Sequence, residues 1–465
     1  MVFSSLVFLF VYLPAVLLTY YISPAKWRNI VLFLVNMIFY GWGEPVYLLL
    51  MMLSIVVDYL LGIGIGKYRE KRRVATGMLV ASVVWNIGLL FFFKYFDFLL
   101  QSLQSVGILR GISPLGFPLP IGISFYTFQK LSYTIDVYRG ECKEQKNFID
   151  FSVFVTLFPQ LIAGPILQYK DLAEQLSKRV LSMGKMREGI RIFTIGLCKK
   201  VLLANSVGKL WDDYRVLEIT ELSTAGAWIG LLAFCFQIYF DFSGYSDMAI
   251  GLGKMLGFDF NINFNYPYIS KSVTEFWRRW HISLSSWFRD YLYIPLGGNR
   301  KGKTRWMLNI LIVWAATGIW HGASFNFLLW GLYYAVLLMI EKLWLLKKLE
   351  KLPVFLGHIY ALFFIVLGWG IFAIPDATAG IKYLGALFGT TGVIIEPGDI
   401  FQMLNYMVLL IALIFASVPL GRQLFHKMPA KAQSVTETVL IMGGLLLSTA
   451  YLVDSTYNPF LYFRF

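Results

Sequence analysis

Apolar runs recur along this chain at short intervals, and they leave it few ways to fold. Ser4–Tyr20, Trp27–Phe39, Val46–Ile65, Leu79–Phe93, Trp228–Phe240, Phe355–Phe372, Met407–Val418 and Val439–Leu452 carry almost no charge. Each approaches or reaches the roughly 20 residues that an α-helix needs to cross a bilayer core. Only 15% of the chain is charged, against about 25% in an average soluble domain. A soluble protein of this make-up would expose large apolar patches. In hydrocarbon every backbone polar group must be satisfied within the structure, which leaves helices and closed barrels. Runs of this length select helices. The predicted fold is an all-α polytopic membrane protein of about 11–13 helices, re-entrant and interfacial segments included, read as one domain over residues 1–465. The first run has no basic n-region and no small-residue cleavage site, so it reads as a retained span.

The formal net charge of +14 would point to nucleic acid in a soluble protein. Here the positive-inside rule explains it without a nucleic-acid partner. Basic residues cluster in short connections, Lys67–Arg73, Ser177–Arg191 and Gly297–Arg305, while acids gather in Trp211–Glu221, a candidate outward loop. This places the N-terminus outside and the Lys26–Arg28 and Lys67–Arg73 loops inside. Counting crossings onward gives a parity conflict near residue 166, because the loop that should be outside is again basic. A re-entrant or surface-lying segment resolves it, and "FPQLIAGPI" (Phe158–Ile166), with Pro, Gln and Gly, is where it is expected. Broken backbone at membrane depth needs protein or a water-filled cavity around it.

The chemistry-bearing residues are few. Cys142, Cys198 and Cys235 are far apart and form neither a disulfide framework nor a zinc site, and no metal site is expected. "GIGIGK" (Gly62–Lys67) ends a span, not a strand, so helix packing explains it better than phosphate binding. His358 and His426 read as interfacial or solvated. His321 is different: it sits in the middle of the apolar run Ile310–Leu337. An ionisable residue inside a span is expensive and marks a functional site unless it only glues helices together. His281 lies in "EFWRRWHISLSSWFRDYLYIPLGGNR". On one helix, Trp277, Trp280, His281, Leu284, Trp287, Phe288 and Tyr291 share an arc opposite the arginines and serines. That pattern suits an interfacial helix or a cavity mouth, with Trp280 and Trp287 as candidate lining.

A histidine near neutral pKa can take the proton of a hydroxyl as it attacks an activated acyl group. A thioester donor needs no covalent enzyme intermediate, so the absence of a G-x-S-x-G elbow does not count against acyl transfer. Arg278, Arg289 and Arg300 could contact the phosphates of such a donor, although positive-inside bias explains the same charges. Asp241 and Asp247, with Gln237, Ser243 and Ser246, stand in an apolar setting and could instead form an ion path. The residues alone leave acyltransferase and transporter open, and a scaffold for a separate acetyltransferase is a third reading.

"LPIGISFYTFQKLSYTIDVYRG", "FPQLIAGPI", "IYFDFSGYSDMAIGLGKMLGF", "NFNYPYISKSVTEFWRRWHISLSSWFRDYLYIPLGGNRKG", "GIWHGASFNFLLWGLYYA" and the ending "NPFLYFRF" resemble, in order, the membrane-bound O-acyltransferase superfamily. They look most like its bacterial branch containing the alginate O-acetyltransferase membrane subunit. The likeness runs from about Leu119 to about Tyr334 and returns at the C-terminus. It implies helices around a central funnel, His321 as catalytic histidine and general base, and His281 as its partner, orienting substrate or polarising the thioester carbonyl. Trp320, Asn326, Asp241 and Ser243 carry over as cavity lining. It also implies a bacterial cytoplasmic-membrane enzyme with no bound cofactor. Such an enzyme takes acetyl from a cytosolic thioester, acetyl-CoA or a carrier protein, for a surface polysaccharide, with an extracytoplasmic acetyltransferase as partner. A related subunit that D-alanylates teichoic acid from a carrier protein is the alternative.

Overall fold

The computed structural model describes residues 1–162, 164–454 and 461. Among these the secondary structure is helical, with no strand. Six helical segments are long and apolar enough to cross a membrane, seven if one bent pair counts as a span. The protein is a multi-pass membrane protein. By contact density the chain falls into two compact units, Met1–Phe193 with Met248–Asn261, and Thr194–Asp247 with Ile262–Phe465.

In the first unit α1 (Leu13–Ile22), α2 (Arg28–Gly41), α3 (Pro45–Lys67), α4 (Arg72–Leu90) and α5 (Phe96–Ser105) precede α6 (Ile123–Arg139), α7 (Phe148–Thr156), α8 (Phe158–Leu161) and α9 (Tyr169–Ser177). α3 shows how a membrane helix inverts the soluble pattern. Its buried stripe is Met51, Ser54, Ile55, Asp58, Gly62 and Ile65, a helical spacing that includes two polar residues. Val46 and Leu49, by contrast, are about three-quarters exposed. The apolar face meets lipid and the polar residues meet neighbouring helices. Asp58 accepts from Ser82 Oγ at 2.6 Å and from Asn86 Nδ2 at 2.8 Å, and lies 3.3 Å from Lys130 Nζ. Each of these partners is fully buried, so one carboxylate ties α3, α4 and α6 together.

The segment at Phe158–Ile166 is interrupted as the sequence suggests. α7 has nine residues, about 13 Å of rise, under half the bilayer core. A separate four-residue α8 follows. Residues 151–162 are all buried, which is where broken backbone at this depth is tolerated. Gly122, at φ +76°, starts α6 with its Cα facing the Leu161 carbonyl, and a Cβ there would press on that oxygen at 2.6 Å.

α10 (Met183–Cys198) and α12 (Thr224–Met255) run through both sets of residues, with α11 (Asn205–Arg215) between them. The second unit continues with α13 (Val273–Arg279), α14 (Ile282–Phe288), α15 (Lys303–His321), α16 (Phe325–Ile340), α17 (Leu346–Leu349) and α18 (Val354–Ala373). α19 (Ala377–Ala386), α20 (Pro397–Asn405), α21 (Met407–Ala416), α22 (Leu420–Lys427) and α23 (Ala430–Asp454) complete it. α20 and α21 are the bent pair, at 58°.

Candidate active site

His321 owes its place to a turn. The apolar run Ile310–Leu337 is not one crossing: α15 stops at His321, Gly322 is extended (φ −174°), and α16 restarts after an extended Ser324. The two helices form an antiparallel hairpin in which Gly318 faces Gly331. A Cβ on Gly318 would collide with the Phe327 carbonyl and lie 3.3 Å from Gly331 Cα. A Cβ on Gly331 would collide with the Trp314 carbonyl. Small residues let the backbones touch, and one turn beyond that contact His321 emerges at the bend. Hydropathy reads the composition of such a run and is blind to its fold-back, which is why His321 looked like a mid-span residue.

His281 is placed by a second break. α13 begins under a hydroxyl cap and a carboxylate cap: Ser272 Oγ accepts from Glu275 N–H at 3.0 Å, and the buried Glu341 accepts from Val273 N–H at 2.6 Å and Thr274 N–H at 2.7 Å. The helix ends after Arg279, Trp280 is extended, and His281 adopts the left-handed conformation (φ 44°, ψ 54°) before α14. The single amphipathic helix expected across residues 276–291 is therefore wrong. Its aromatic arc is split. Trp277 packs on Trp314, Trp330 and Tyr334, Trp280 on Phe264 and Trp369, and Trp287 on Tyr291. A non-glycine residue at positive φ is held by its surroundings, and such strain gathers at functional sites.

Asn263 supplies the hold. Its backbone carbonyl accepts from Ile282 N–H at 3.0 Å. Its side-chain Oδ1 accepts from Ser283 N–H at 3.1 Å and Ser283 Oγ at 2.9 Å, and faces His281 Nδ1 at 3.2 Å. A backbone N–H only donates, so the amide atom facing Ser283 is the oxygen. His281 Nδ1 must then carry the proton, and in the neutral ring Nε2 carries the lone pair. Burial first, then the nearby His321, holds the His281 imidazole well below its ordinary pKa, so the ring is neutral at physiological pH. A neutral ring of this tautomer accepts at Nε2. It has no N–H at that atom with which to polarise a carbonyl.

The two imidazoles share a wall. Trp320 lies 6.1 Å from His281 and 5.1 Å from His321, centroid to centroid. Trp330 at 5.0 Å and Phe372 at 5.4 Å flank His321, and Phe242 at 4.7 Å flanks His281. His281 is 1% exposed and His321 4%. Two buried imidazoles in an aromatic setting suit proton transfer from a hydroxyl. No three His, Cys, Asp or Glu side chains gather as a metal site among the described residues.

The other expected residues divide. Asn326 is buried and donates to the Phe372 and Ile371 carbonyls, so it fastens α16 to the end of α18 beside His321. Asp241 pairs with Lys200 at 2.8 Å, both 2% exposed, and accepts from Leu461 N–H at 2.9 Å. Its partner is therefore a lysine just beyond the end of α10. Ser243 is fully buried. Arg278 and Arg300 are exposed, and Arg289 is exposed and paired with its neighbour Asp290 at 2.7 Å. None of the three contacts the histidine pair. His358 hydrogen-bonds the Ser270 carbonyl and His426 is exposed. Asn263, Glu341 and Lys200 were missed as site-building residues. Glu341 had a visible signal, a lone acid closing the apolar run "LLMIEKLW".

Comparison with known proteins agrees with this picture. The sequence profile described as MBOAT, membrane-bound O-acyltransferase family, matches residues 143–381, which include both histidines. The chain is 43% identical over 391 residues to the protein named probable alginate O-acetylase AlgI of Azotobacter vinelandii, covering 83% of this chain and 78% of that one. It is 38% identical to the protein of the same name from Pseudomonas putida over the whole of both chains. It is 32% identical to the peptidoglycan O-acetyltransferase of Helicobacter pylori, covering 90% of this chain and 86% of that one. The chain belongs to the membrane-bound O-acyltransferase family.

Proposed function

We propose that the protein transfers an acetyl group from a cytosolic thioester, acetyl-CoA or a carrier protein, for O-acetylation of a cell-surface polysaccharide in a bacterial cytoplasmic membrane. The observation that carries this reading is the pair of buried histidines around Trp320 in a chain similar, nearly end to end, to polysaccharide and peptidoglycan O-acetylating proteins. His321 is the general base. It takes the hydroxyl proton as the oxygen attacks the thioester carbonyl carbon. The C–S bond then breaks and the same proton passes to the departing sulfur, leaving an ester and a free thiol. His281 orients the substrate, its Nε2 accepting from a donor group other than the reacting hydroxyl, whose single proton goes to His321. Asp241 and Ser243 are supporting residues behind the pocket, and Trp280 and Trp287 are packing residues beside it. An extracytoplasmic acetyltransferase receiving the group fits the same scheme.

The test compares surface O-acyl ester in cells carrying wild type, His321→Ala or His281→Ala, with membrane levels of each protein matched. The released acid is identified as acetate or D-alanine. Loss of acetate ester with His321→Ala at normal membrane levels is the expected result. Normal ester in that variant would remove His321 as the base, and D-alanine in place of acetate would replace the donor assignment.

A further inference from the structure

A second polar site lies in the first unit. A cavity of about 360 Å³ opens where the first turns of α2 and α7 meet the end of α9, lined among others by Lys26, Arg28, Asn29, Asn147, Asp150 and Arg179. Three cations face one carboxylate, a net of +2 (3 − 1). Asp150 is already engaged, accepting from Asn29 Nδ2 at 2.6 Å. Both guanidiniums lie over the same phenol ring, Arg28 at 5.8 Å and Arg179 at 5.6 Å from the Tyr20 centroid. Two like charges on one ring repel unless an anion sits between them.

The walls are built. Arg179 donates to Tyr20 Oη at 2.6 Å, Asn29 Oδ1 at 2.6 Å and the Leu176 carbonyl at 3.2 Å. Arg28 differs: its Nε is buried and has no hydrogen-bond partner. α7 is capped by Asn147 Oδ1, but no side chain caps α2, whose Arg28, Asn29 and Ile30 line the cavity. A 3-10 turn, Ala25–Trp27, runs into α2 and takes the Arg28 N–H on the Ala25 carbonyl, so the cationic side chains are the groups this cavity offers an anion. The depth is also given. Lys26 lies 5.9 Å over the ring of Trp27, which is 49% exposed. A tryptophan and a lysine at a helix start mark the headgroup level of a bilayer, and this loop is on the positive, cytoplasmic side by charge.

We propose that this cavity binds a phosphate ester, and that its source is the headgroup of an anionic phospholipid. The probes are phosphatidylglycerol, uncharged diacylglycerol and inorganic phosphate, each added to the full-length protein in mild detergent while thermal unfolding is followed. Phosphatidylglycerol should raise the melting temperature saturably, and diacylglycerol should not. Lys26→Gln with Arg28→Gln should weaken the phosphatidylglycerol response about tenfold or more, as loss of charge-assisted phosphate contacts does. Ser177→Glu is the second variant. Its hydroxyl is exposed and bonds only the Glu174 carbonyl, so a carboxylate there opposes the anion without disturbing the walls. It too should blunt the response. A full response to inorganic phosphate alone would overturn the lipid source. Equal responses to phosphatidylglycerol and diacylglycerol, or wild-type responses in both variants, would overturn the site.

Discussion

Asn263 Oδ1 faces Nδ1 of His281 at 3.2 Å while accepting two further hydrogen bonds from Ser283. One oxygen therefore starts α14, stabilises a left-handed histidine and decides which ring nitrogen keeps its lone pair. Asn263→Asp preserves the acceptor and adds a charge beside the ring. A carboxylate at this distance raises the imidazole pKa, so the acid limb of the activity profile should move to higher pH by about 1–2 units. Asn263→Leu removes the acceptor and should lower activity at every pH. An unshifted limb in the Asp variant would deny Asn263 its positioning role.

The buried, neutral His281 also makes stability depend on pH. Its folded pKa is depressed, so below about 6.5, the free-imidazole value, the unfolded chain binds a proton that the folded chain refuses. Stability should then fall with pH at up to about 1.4 kcal/mol per unit for this one group. His281→Asn removes the titration while keeping a residue that tolerates positive φ. Melting temperature followed from about pH 7.5 to about 5.5, the range that brackets a free imidazole, should fall more steeply for wild type than for His281→Asn. Parallel curves would show that His281 is not the group responsible.

Backbone contact at Gly318 and Gly331 sets where His321 points. Gly318→Ala or Gly331→Ala forces the α15 and α16 backbones apart, at about 1–3 kcal/mol for overpacking. Acylation should drop further than membrane abundance does, because a shift of about 1 Å at a reacting group can cost about a hundredfold. Transferase activity per inserted molecule checks this, and an unchanged ratio would locate the constraint elsewhere.

The Lys200–Asp241 pair is a different kind of dependence. Each member is 2% exposed, so removing one leaves an uncompensated buried charge worth about 3–5 kcal/mol. Asp241→Asn and Lys200→Met should each lower the melting temperature sharply, and the double change should lower it less than the two losses added. Additive losses would mean that the pair is not coupled.

Much of the membrane architecture was legible. α3, α12, α18 and α23 each cover a run whose length and hydropathy announce them, and Met407–Val418 is the second limb of the bent pair. Both histidines of the candidate site could be singled out as rare titratable groups in apolar surroundings. Their setting could not. Hydrophobic pattern records which residues avoid water and says nothing of where a helix turns back, so the hairpin at Gly322 and the break at His281 were hidden. His281 in particular breaks a helix without any Gly or Pro to announce it. Asn263 lies 18 residues away in chain, in a loop whose asparagines look alike until one of them meets the ring. Charge near a span end has a topological reason as well as a chemical one, so Arg278, Arg289 and Arg300 by themselves do not locate a site.

The hairpin contact has an outcome for how such an enzyme can change. Because the Gly318–Gly331 crossing places the His321 backbone, Trp330 and Phe372 can be resized without moving that backbone. On the proposed function, the wall that meets the acyl group and the turn that places the histidine are then separate parts of the chain, and either can be altered while the other stays as it is.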